Sequence, residues 1–268
     1  MWVRKQRRRQ IAEQKAVIDS LWKSNRFLRL MQLWRNSVLQ DGQIAQHQEA
    51  QINEVHRELF KLKKELDEDP VIAANDYWMG LRDHWQRFNY RDFKLSKAVR
   101  FKQLTSMIDN AMSLLIEEAQ NAANSETFNE KTGLFACTWR GLPAISESIY
   151  LLINKTTLTR QNREASNPNA YAQLEHQLES LKRLIETWLQ PLNQNSSEFD
   201  SGIVLRAISS CDRIVRVYRQ ELLSQKNRHI ANQSLLAICN EALRNIHTLQ
   251  DLQIQYLRDY FHVSIADD

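Results

Sequence analysis

One arginine in this chain stands where an always-charged group needs a counter-charge. Apolar side chains recur at alternating steps of three and four through Ile18, Leu21, Leu28, Met31 and Val38, and the same stripe carries Asn25 and Arg35. A guanidinium keeps its proton at any ordinary pH, so an inward Arg35 has to be compensated. Three arrangements would do it: a carboxylate from another helix, with Glu147 as a candidate; a bound anion; or a side chain that snorkels out to water. For an anion site, Arg35 with Asn25 would be the inward polar pair, and charge-assisted hydrogen bonds in a largely dry bundle would supply the binding energy.

Other chemistries find little support in the spacing. A di-iron carboxylate bundle uses paired Glu-x-x-His units, yet none of the seven histidines has Glu three residues before it; only Asp259 with His262 approaches the pattern. The zinc-binding HExxH spacing is absent. Phosphate-cradling loops need clustered glycines, and Gly42, Gly80, Gly133, Gly141 and Gly202 are scattered. Cys137, Cys211 and Cys239 are odd in number and far apart, and two of them fall on apolar helix faces, which suits reduced core thiols. The expectation is a non-enzymatic chain with no metal and no cofactor.

The elements that must position these residues are helices. With five Gly and four Pro in 268 residues, and 43% apolar against 25% charged side chains, few breakers interrupt the pattern. Helical stripes run through Ile52, Val55, Leu59, Leu62 and Leu66, and through Leu104, Ile108, Ala111 and Leu115. Others follow Leu174, Leu178, Leu181, Ile185 and Trp188, then Ile208, Cys211, Val215, Tyr218 and Leu222. The last segment follows Leu235, Cys239, Ala242, Ile246 and Leu249 and turns aromatic at Tyr256, Tyr260 and Phe261. Breaks fall at Asp41-Gly42, 67–70, 89–92, 121–132, 163–168 and 191–202, which predicts about eight helices. Pro70, Pro143 and Pro168 fit first helical turns, and Pro191 is expected to close a helix. The predicted fold is all-α, with long antiparallel helices in one elongated bundle or two stacked ones: 1–20 a basic helix start, 21–124 a first bundle, 125–268 a second bundle with the long C-terminal helix.

Charge and hydropathy bound the setting. The net charge of +4 owes much to Arg4, Lys5, Arg7, Arg8 and Arg9, a run read as a solvated helix end, so nucleic acid is disfavoured as a partner. The most apolar stretch, 133–153, is broken by Arg140, Ser146 and Glu147, and the start lacks the apolar segment of a signal peptide. A cytoplasmic location is expected, or a periplasmic one if a membrane segment precedes this sequence.

From Trp22 to about Asn154 the chain resembles the bacterial nitrate- and nitrite-sensing helical domain. The carriers are residues 32–42, Gln-Leu-Trp-Arg-Asn-Ser-Val-Leu-Gln-Asp-Gly, similar to that family's Q-x-x-R-G helix; residues 142–147, Leu-Pro-Ala-Ile-Ser-Glu; and Trp78 with Trp85 between them. Asn36 replaces the family's Gly, and Ile153 stands where a second arginine is expected, with Asn154 and Lys155 following. The resemblance implies an anion gripped between helices by Arg35, with Asn25, Asn154 and Lys155 as companions, and helices that re-angle when it arrives. The expected function is a regulatory or sensory module that signals to a separate output protein, with self-association into a homodimer as a further expectation. The alternative is a structural or adaptor protein that binds a protein partner and no small ligand.

Overall fold

The computed structural model describes residues 2–39, 46–89, 95–124, 132–161, 168–194, 201–220 and 232–263. Among them every regular element is helical: α1 (Trp2–Leu39), α2 (Gln46–Asp67), α3 (Asp76–Asn89), α4 (Lys97–Ala123), α5 (Thr132–Ala136), α6 (Leu142–Gln161), α7 (Pro168–Leu184), α8 (Gln190–Gln194), α9 (Ser201–Tyr218) and α10 (Asn232–Val263). A π-helical turn, Cys137–Gly141, joins α5 to α6, and a second, Ile185–Leu189, joins α7 to α8, leaving eight continuous helices. None of them is long and apolar enough to cross a membrane.

The chain divides into two compact units, Met1–Arg140 with Ile254–Asp268, and Gly141–Gln253. The division falls inside a continuous helix rather than in the 125–131 connection, and the end of α10 belongs with the first unit. There Arg258 donates to Asp19 at 2.7 Å, and the Trp22 ring lies between the guanidinium groups of Arg26 and Arg258, at 5.4 and 5.1 Å.

In the first unit α1 packs on α2 and α4, and α3 packs on α4. Every position of the α1 stripe from Ile18 to Val38 is buried, Asn25 and Arg35 included. Beside it Phe27 meets Trp78 and Trp85, and Trp34 meets Trp85 and Phe88, all at ring separations of 5.5–5.8 Å. Trp78 keeps its indole N–H satisfied by donating to Asp67 Oδ1 at 3.1 Å.

The turn after α2 is built on Asp69. Its buried carboxylate accepts from Ser20 Oγ at 2.8 Å, from Lys23 Nζ at 3.5 Å and from the Val71 N–H at 3.0 Å, tying the turn to α1. Pro70 opens this isolated turn and not α3, which begins at Asp76 with Asn75 as its cap: Asn75 Oδ1 accepts from the Tyr77 N–H at 2.9 Å.

In the second unit α6 packs on α7 and α7 on α9. Of the three prolines here, Pro168 opens α7 as expected, and the other two share a setting. Pro143 and Pro191 each stand two residues beyond the end of a π-turn, and helix continues through both. In an α-helix a proline ring clashes with the carbonyl four residues earlier and offers no N–H. Those carbonyls belong to Trp139 and Thr187, inside the π-turns, where the widened spiral relieves the clash. Pro191 therefore does not close the helix.

On α9 the expected stripe is buried at Cys211, Val215 and Tyr218 and half-buried at Ile208, and Val204, Ala207 and Ile214 are buried beside it. Expected features at Gly42 and Leu222, and the connections 90–94, 125–131, 162–167 and 195–200, lie outside the described residues; so do the side chains of Arg4 to Arg8 and Phe261.

All three cysteines are buried and free. Burial pushes the thiols of Cys211 and Cys239 up to about 12, Asp212 adding to the first and the Tyr218 hydroxyl opposing the second. At pH 8 this leaves roughly a thousandfold less thiolate than an ordinary cysteine would have. Iodoacetamide labelling of native protein is expected to be slower by at least ~100-fold than in urea; mass spectrometry showing prompt native alkylation at Cys211 or Cys239 would contradict the packing.

Candidate functional site

Arg35 is fully buried on α1. Its guanidinium lies over the Phe101 ring of α4, 5.6 Å from the centroid, and its charge acts on Asp109, two turns further along α4. Burial raises the Asp109 carboxyl, and Arg35 pulls it back. The guanidinium over an aromatic face is a cation–π contact within the first unit, and the charge of Asp109 acts on it from an exposed position on α4. Asn25 is buried on the same helix, nearly three turns earlier. Glu147 is buried and belongs to the second unit.

Asn154 and Lys155 are neighbours on α6, in the second unit. Asn154 is 1% exposed, and neither atom of its amide has a hydrogen-bond partner among the described residues. Lys155 donates weakly to Gln177 Oε1 at 3.4 Å, and burial lowers its ammonium below the usual lysine range. Around them runs a polar layer. Gln177 Nε2 donates to Ser148 Oγ at 3.0 Å, Thr156 Oγ1 to the Tyr218 hydroxyl at 3.2 Å, and that hydroxyl meets Cys239 Sγ at 3.8 Å. The structure thus sets Asn25 and Arg35 on one buried face of one unit, and Asn154 and Lys155 side by side in the other.

An acidic group in the first unit also departs from ordinary behaviour. Asn75 Nδ2 donates to both Glu117 and Glu118, at 2.9 and 2.6 Å. Glu118 is raised, chiefly by burial; the Asn75 bond opposes this, while Glu117 and Asp69 add to it. A carboxyl with a raised folded-state value binds its proton more tightly folded than unfolded. Stability should therefore grow as pH falls through that raised value toward the ordinary 4.5, and flatten below it. Glu118→Gln keeps the oxygen that Asn75 needs and removes the charge, so the variant should melt higher than the parent at pH 7.5, with the gap closing near pH 4.5. A parent that melts higher at pH 7.5 would contradict this.

A third feature escaped the sequence reading. On the second unit, an open groove of about 750 Å³ is lined by Lys182 of α7 and by Leu205, Ile208, Asp212, Val215 and Arg216 of α9, with Arg219 just beyond. Leu205 is 51% exposed, which is unusual for a leucine flanked by other apolar groups. The sequence carried a signal for it: Leu205 and Ile208 stand beside the buried line, with the buried Val215 at the groove's end, so α9 has a wider apolar face than its core contact uses.

Compared with known proteins, the chain matches no family, no curated protein and no solved structure.

Proposed function

We propose that this chain is a non-enzymatic helical module that works by contact with a protein partner. The observation that carries the reading is the α7–α9 groove, where helices fully occupied on their inner faces leave apolar side chains and flanking charges facing outward. Such a combination is what a partner's side chains need: an apolar anchor surface and polar groups around it that fix register. The stacking of Arg35 on Phe101, with the charge of Asp109 acting on it from α4, supports a structural role for that residue.

Sensing of a small anion, nitrate or nitrite in the resemblance, is the second reading. Asn154, with its unpartnered buried amide beside the half-buried Lys155, is the observation in its favour.

The test is a photo-crosslinking amino acid placed at Leu205 and, as a control, at Phe60, which is 48% exposed on the first unit. In cells that make the protein, irradiation should give a discrete protein adduct from position 205 and none from position 60. No adduct from 205, or equal adducts from both, would defeat the contact-module reading.

A further inference from the structure

The groove says something about the chemistry of its partner. Between Leu205 and Val215, ten residues of α9 cover about 15 Å, the length of roughly three helical turns. Apolar groups spaced along that line suit a partner helix presenting its own apolar side chains at every third or fourth position. The charged groups that line the groove are Arg216 and Arg219 of α9 and its continuation and Lys182 of α7, against the carboxylate Asp212.

Some of these cations have carboxylate neighbours. Lys182 lies 3.7 Å from Glu186, and Arg219 pairs with Glu179. These side chains are about half exposed, and pairs so exposed hold weakly and exchange partners readily. Burial raises the Asp212 carboxyl, while Arg216 lowers it and Glu186 raises it. Phosphate backbones would answer the arginines but would leave the leucine and isoleucine line in contact with charge, so a protein partner fits better than a nucleic acid.

We propose that the α7–α9 groove takes an acidic amphipathic helix of a partner protein, its apolar side chains seated along Leu205, Ile208 and Val215 and its carboxylates meeting Lys182, Arg216 and Arg219. The proposal rests on the contact-module reading and adds the chemical class of the partner. Steering by the arginines would speed encounter, and the apolar line would hold the complex once formed.

The experiment measures fluorescence anisotropy of a labelled helical peptide of about 18 residues, with leucines at helical spacing and flanking glutamates. The same peptide with lysines for glutamates, and a short DNA duplex, serve as competing probes. The glutamate peptide should bind, more weakly as salt rises, and the lysine peptide should not. Leu205→Asp and Arg216→Glu, both at exposed or half-exposed positions, should each weaken binding by at least ~10-fold with an unchanged thermal midpoint. Equal binding of the two peptides, no binding of either, tighter binding of the duplex, or Leu205-dependent association of two copies of the chain in sedimentation would each overturn the proposal. If the glutamate peptide fails while Leu205 still crosslinks to a protein in cells, the partner class is wrong and the contact module stands. If both fail, the module reading falls with it.

Discussion

Arg35→Ala is expected to cost about 3–5 kcal/mol of folding free energy, the range for truncating a large, fully buried side chain. Against a total stability of about 5–15 kcal/mol for a typical domain, that is a severe loss. The physical reasons add up at one place. The guanidinium is fully buried, so its removal opens a cavity between α1 and α4 and takes a cation from the face of Phe101. Arg35→Lys keeps the charge but loses the planar group that lies over the ring, and should fall between the two. Urea unfolding followed by circular dichroism measures all three proteins.

The same titrations carried out with nitrate, nitrite and chloride distinguish an internal cation from an anion site. A ligand held only by the folded state must raise the unfolding midpoint. The internal reading expects equal midpoints in all three salts. A midpoint raised by nitrate or nitrite in the parent and not in Arg35→Ala would transfer Arg35 to the sensing function, as would a loss in the variant below about 1 kcal/mol, because surface-like positions lose no more than that.

The α1 seam was legible in the sequence because α1 is a single helix of 38 residues whose spacing never slips. Asn25 and Arg35 occupied seam positions, and an unbroken period places such residues whatever their polarity. On α9 the same method found Cys211, Val215 and Tyr218 but missed Val204, Ala207 and Ile214, for a physical reason. Helical spacing of three and four fits two adjacent lines when a helix is apolar over a wide face, and α9 carries both Val204–Ala207–Cys211–Ile214 and Leu205–Ile208. Which line goes inward is settled by the neighbours, which the chain meets only after folding. The groove was illegible for the same reason, since Lys182 comes to it from another helix. The aromatic companion of Arg35 was illegible: spacing placed the cation inward, but nothing on α1 announces the Phe101 ring that comes to it from α4.

Proline chemistry misled at Pro191 because helix-breaking assumes α geometry around it. A π-turn changes that geometry, and no residue preference in Ile185–Leu189 announces one. What the sequence does carry is the repeated interval, a tryptophan-bearing turn with a proline two residues after its end, at Cys137–Gly141 and again at Ile185–Leu189. The two turns also meet. A methyl group built on Gly141 would lie 2.6 Å from Cγ and Cδ2 of Trp188 and 3.0 Å from its Cβ. Glycine is required here for close approach.

Gly141→Ala should therefore destabilise the protein by about 3 kcal/mol, the upper part of the range for inserting a methyl into packed space. This runs against the ordinary expectation that alanine in place of glycine strengthens a helix by up to about 1 kcal/mol. The sign alone is diagnostic. Trp188 is half-exposed, so Trp188→Ala should cost less than a core tryptophan would, and it removes the ring atoms that the new methyl meets. In the double variant the methyl has room, and its intrinsic helix preference can return. A double-mutant cycle by urea unfolding should then show the paired changes to be less damaging than their sum by at least ~2 kcal/mol. Strict additivity would mean that Gly141 is needed for the backbone of the π-turn itself, and a stabilised Gly141→Ala would mean that the two turns do not touch.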